Sequence, residues 1–139
     1  MRIASALAVV MLAVALGACG ESSEDKAQAT VCDARADIGK QVDELKSLTA
    51  ATVTTDAVTQ NVDAIKNDLK DISDAQSELS SDRRSEVKAA NEAFASSVEG
   101  IASEAVRSLS ASDAKAALVT ALQQLAASYE KTFAPLSCD

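Results

Sequence analysis

Apolar residues fall along this chain in two regimes. Residues 3–16 are an almost unbroken apolar run, interrupted only by Ser5 and preceded by Met1-Arg2. Beyond residue 29 the apolar positions recur at helical spacing. Val31, Ala34, Ile38, Val42 and Leu45 stripe a first helix over residues 30–48. Val58, Val62, Ile65, Leu69, Ile72, Gln76 and Leu79 stripe a second over residues 56–79, with Thr54 or Thr55 as its N-cap. These seven alternate steps of four and three, the packing period of coiled coils, with one polar interruption. Val87, Ala90, Phe94, Val98, Ile101 and Ala105 stripe a third helix over residues 82–109. Leu118, Leu122, Leu125, Tyr129 and Phe133 stripe a fourth, opened by the capping-box spacing of Ser110 and Asp113 and closed before Pro135.

Two breaks organise these stripes. Continuing the register of the second helix would bring Arg83 and Glu86 into the core. The apolar set instead restarts at Val87, so Ser80-Ser81-Asp82 predicts a turn between two helices or a sharp hinge within one. The threonine-rich residues 49–55 predict a loop. Residues 20–29 are polar without an apolar period, which predicts a flexible tether. The expected domains are therefore a leader over residues 1–18, a tether over 19–29 and a helical body over 30–139. Strand signals are nearly absent, and alanine is abundant. The predicted fold is all-α, an up-and-down four-helix bundle. Lys40 and Glu44 are spaced to pair on the outer face of the first helix.

A charged start, a short apolar run and small residues before the polar chain form a secretory signal peptide, too short for a spanning helix. Its last residues, Leu16-Gly17-Ala18-Cys19, resemble the lipobox of bacterial lipoproteins. The resemblance implies cleavage before Cys19 and acylation of that residue, hence a cell-membrane lipoprotein held on the extracytoplasmic face by its acyl chains. With Cys19 taken by lipid, Cys32 and Cys138 remain in an oxidising compartment, and a disulfide is the natural pairing. The body also resembles small alanine-rich lipoproteins of high-GC Gram-positive bacteria with a cysteine at each end of a helical domain. The resemblance lies in Cys32-Asp33-Ala34-Arg35-Ala36-Asp37-Ile38, Val42-Asp43-Glu44-Leu45 and Cys138. That family carries no assigned activity, so it implies no mechanism.

Composition narrows the chemistry. The chain has 13 Lys+Arg and 21 Asp+Glu; removing Arg2 with the leader leaves 12 against 21, a net charge of −9. An acidic surface repels phosphate backbones, so nucleic acid is not an expected partner. No histidine or tryptophan occurs, and both methionines, Met1 and Met11, lie in the leader. Imidazole and thioether ligands are thus lacking, and so is histidine acid–base chemistry. No cofactor or metal is expected. Asp71, Asp74 and Glu78 share a helix face with room for a cation, but a solvated acidic face interleaved with Lys66 and Lys70 is the expected role. Arg83-Arg84 is expected to be an exposed, solubilising pair, and Tyr129 and Phe133 to cap the core beside the disulfide. Gly39 and Gly100, inside helices, are expected to mark close contacts.

These features point to a non-catalytic binding or structural module of the cell envelope with a protein partner there. A carrier of a small apolar ligand between alanine-rich helices is the alternative. An enzyme working with carboxylates alone ranks third, since no nucleophile, P-loop or dinucleotide motif is present.

Overall fold

The computed structural model describes residues 20, 22–108, 112–133 and 135–138. The described part contains four α-helices and no strand: α1 (Ser23–Ser47), α2 (Thr55–Ala75), α3 (Ser81–Ser108) and α4 (Ser112–Phe133), with a 3₁₀ turn over Gln76–Glu78. Contacts join α1 to α2, α2 to α3, α3 to α4 and α4 back to α1. The helices therefore ring one core, each packed on the two beside it in the ring. The expected leader, the expected lipidation site Cys19 and the expected Ser110 cap lie outside the described residues.

Each predicted stripe faces that core. Ile38, Leu45, Ile65, Ile72, Phe94, Val98, Leu118 and Phe133 have no exposed surface. Burying side chains of this size contributes about 1.5–3 kcal/mol each before chain entropy is charged against it. Loop residue Val53 joins them, because Thr49 turns the chain inward: its carbonyl accepts from Val53 N–H at 2.8 Å and its own N–H donates to Thr52 Oγ1 at 2.9 Å. Ala27, Ala126 and Leu136 complete the core beyond the stripes.

Residues 22–29 are not a tether. α1 begins at Ser23, seven residues before the expected start, and Ser22 caps it. Ser22 Oγ accepts from Asp25 N–H at 3.1 Å, while Asp25 Oδ2 accepts from Ser22 N–H at 3.2 Å. This reciprocal box satisfies two otherwise free donors. Ser80 N–H donates to Glu24 Oε1 at 3.2 Å and ties the first turn to the α2–α3 corner. The polar composition belongs to an exposed helical face with only Ala27 turned inward.

The corner itself follows the predicted register break. α2 gives way after Ala75 to the tighter 3₁₀ turn, four residues earlier than the stripe suggested, and Leu79 turns extended while keeping its side chain in the core. Thr54 is the N-cap of α2, its hydroxyl accepting from Ala57 N–H at 3.1 Å. Two asparagines are buried. Asn61 donates to Ala57 O at 2.9 Å within α2, and Asn91 of α3 donates to Leu69 O of α2 at 3.2 Å. Asn91 Oδ1 is buried without a protein partner.

Candidate functional site

Chemistry-bearing side chains gather where the chain after α4 returns along α1. Cys32 and Cys138 form a disulfide with Cα atoms 5.6 Å apart, closing 106 residues of sequence separation. Between Phe133 and Cys138 the segment is strapped down at several points. Leu136 is buried, and its N–H donates to Phe133 O at 3.0 Å. The Arg35 guanidinium donates to Leu136 O, and that of Arg83 donates to Ser137 O. An α1 arginine and an α3 arginine thus grip consecutive carbonyls of the strap. Charged donors make these among the stronger backbone contacts available.

Tyr129 and Phe133 cap the core here as expected, joined by Phe94. The three rings lie 5.5–5.7 Å apart, with Phe94 edge-on to both others. The Tyr129 hydroxyl donates to Arg35 O at 2.7 Å. Gly39 makes this possible. A helical carbonyl is overhung by the residue four positions on, and a Cβ at 39 would stand 2.8 Å from the Tyr129 oxygen. Burial holds the Tyr129 phenol above its ordinary pKa, with Arg35 opposing the rise. It is a neutral hydrogen-bond donor at physiological pH. Gly100 differs: a Cβ there would meet nothing within 4 Å, so no close contact requires glycine.

Arg83 is half-buried, whereas Arg84 is exposed as expected, and both donate to backbone carbonyls. The Arg83 side chain is 19% exposed and carries the strap contact, with Glu86 at 4.0 Å. Arg84 closes the end of α2: its Nε donates to Gln76 O at 3.0 Å, and its Nη2 to Ser77 O at 2.8 Å and Leu79 O at 2.9 Å. Gln76 O also accepts from Leu79 N–H at 3.2 Å, and a cation at this helix end suits the helix dipole. Sequence pattern missed this role, since a basic pair at a corner carries no sign of which carbonyls it will meet. Lys40 pairs with Asp37 at 2.7 Å rather than with Glu44.

The acidic trio meets on the rim of a groove of about 570 Å³ between the start of α1 and the end of α2, facing Lys26 and Thr30. Asp74 is paired with Lys70. Among the described residues no cluster of three or more His, Cys, Asp or Glu is arranged to hold a metal ion. A second groove, about 450 Å³, runs beside the disulfide past Arg35, Tyr129 and Pro135, and a third, about 370 Å³, lies between α3 and α4 at Gly100 and Ala121. All three are open to solvent and lie outside the close-packed core. Among the described residues no helix is long and apolar enough to cross a membrane. No protein-family model, curated protein or solved structure matches the chain.

Proposed function

We propose that this chain is a lipid-anchored protein of the extracytoplasmic membrane face, and that its bundle is a non-catalytic binding or structural module of the envelope. One observation carries the reading. Cys32 and Cys138 are joined, and the remaining cysteine of the sequence, Cys19, stands at the end of the lipobox-like Leu16-Gly17-Ala18-Cys19. A disulfide accords with an oxidising compartment. Two or more acyl chains supply stable anchoring without a spanning helix. The side chains best placed for chemistry are engaged in holding the fold: Arg35, Arg83 and Tyr129 in the strap and Arg84 at a helix end.

Intact mass of the membrane-extracted protein, with and without reductant, tests the anchor. The expected species starts at Cys19, carries acyl groups and gains a pair of hydrogens on reduction. A mass matching an unmodified chain sinks the anchor. For the module role, photo-crosslinking from exposed bundle positions in intact envelopes should give a discrete adduct that soluble bundle competes away. No adduct, together with an unaltered envelope in a deletion strain, would remove that role.

A further inference from the structure

We propose that the bundle is mounted end-on at the lipid surface, its membrane-facing end formed by the first turn of α1, the α2–α3 corner and the C-terminal strap. This rests on the anchor reading above and goes beyond it, because an anchor on a flexible tether would leave the body free to take any attitude. The structure removes the tether. Ser22, only three residues after Cys19, already caps α1. Three residues reach at most about 11 Å even when fully extended.

The start of α1 cannot act as extra slack, because it is built into the body. Its capping box fixes Ser22 and Asp25, Glu24 accepts from Ser80 N–H, and Ala27 is 6% exposed in the core. The disulfide then pins α1 to the strap at Cys32. The point of attachment is therefore the rigid end of the bundle, and elements meeting there share its distance from the bilayer.

The long sides offer the bilayer nothing to hold. The apolar stripes of all four helices are turned inward. α1 has 25 residues and so spans about 37 Å. The opposite end, containing loop residues 48–54, is the part presented outward, and residues 47–55 carry no charged side chain.

Energy transfer from the protein to headgroup-labelled lipid tests the mount. The native acylated protein is reconstituted in phosphatidylcholine/phosphatidylglycerol vesicles, with a donor dye on Ser77→Cys at the corner or on Ala51→Cys at the far loop. Both positions are exposed. Circular dichroism and unchanged thermal melting verify that each variant is folded. Transfer from position 77 is expected to exceed that from position 51 several-fold. Inserting about 20 Gly/Ser residues after Gly20, a coil of roughly 25 Å r.m.s. span, should shrink that difference. Equal transfer from both positions in the vesicle-bound, unextended protein, or greater transfer from position 51, overturns the mount while leaving the anchor intact. A native protein that does not float with vesicles overturns the anchor itself, and the mount with it.

Discussion

A methyl group at Gly39 would approach the Tyr129 oxygen to 2.8 Å, whereas one at Gly100 would meet open space. The same substitution should therefore have opposite signs at the two sites. Gly100→Ala is expected to stabilise the bundle by about 0.5–1 kcal/mol through helix propensity alone. Gly39→Ala is expected to destabilise it by about 1–2 kcal/mol, since crowding and a lost phenol–carbonyl bond outweigh that gain. In a Tyr129→Phe background the cost of Gly39→Ala should shrink, because the closest clashing atom is gone. Urea midpoints of the single and double variants measure the coupling. Sequence alone marks both glycines as unfavourable helix residues and cannot tell them apart, because the difference lies in which side chain of α4 stands opposite. Asp68 is a second local case. Burial raises its carboxyl above the ordinary 3.8, Asp37 and Asp71 add to the rise, and Lys40 opposes it. The folded state binds this proton more tightly than the unfolded chain. The resulting stabilisation is fully present below the ordinary carboxylate value and is lost as pH rises through the raised one. Asp68→Asn should therefore be more stable than the parent near about pH 7, with the advantage shrinking toward about pH 3, as read by urea melts at the two pH values.

Helix ends, more than helix interiors, depart from what the apolar pattern predicts. α1 starts seven residues early because Ser22 and Asp25 form a capping box, a signal present in the letters but outvoted by a decapeptide with no apolar period. An exposed helix face needs no such period when neighbouring turns already pack. Ser22→Ala is expected to cost about 1 kcal/mol. Hydrogen exchange should locate the loss, with faster exchange confined to the first turns of α1. Protection that stays unchanged there would contradict the cap's role. At the α2–α3 corner the register slip between Leu79 and Val87 did announce a break. Its closure by Arg84 did not show, since three carbonyls converge on one guanidinium only once the 3₁₀ turn has formed. Asn91 reaching across to Leu69 O is likewise a tertiary fact: in sequence it is one more polar residue beside Ala90.

The ring of four helices is tied by one covalent bond between α1 and the C-terminal strap. Closing 106 residues of sequence separation contributes about 4–5 kcal/mol in the chain-entropy view. A body this small, with a core rich in alanine and valine, depends on such a staple. Reduction under native conditions should lower the urea midpoint substantially while leaving much of the far-ultraviolet helical signal. Leu136 burial and the two arginine contacts still hold the strap, so it should not detach first. Faster proteolysis confined to residues beyond Phe133 after reduction would show the opposite. The same organisation bears on the proposed role. The strap, the corner and the start of α1 gather at one end of the ring, and the proposed mount turns the loop between α1 and α2, at the other end, outward.

Composition and period determine the helical class, the four stripes and the break after Leu79, and the lipobox resemblance at Cys19 adds the pairing partner expected for Cys32. Burial of apolar area depends on one-dimensional spacing, and a three-cysteine chain with Cys19 set aside by its resemblance to a lipobox leaves a single pair. Tertiary packing decided the rest: that residues 22–29 belong to the body, that Gly39 is a notch and Gly100 is not, and that Arg35, Arg83 and Arg84 grip backbone carbonyls. Each of these depends on a carbonyl or a ring brought near by a different helix. Directional contacts of that kind have no periodicity to leave in the sequence, whereas the hydrophobic effect, being non-directional, writes itself there as a stripe.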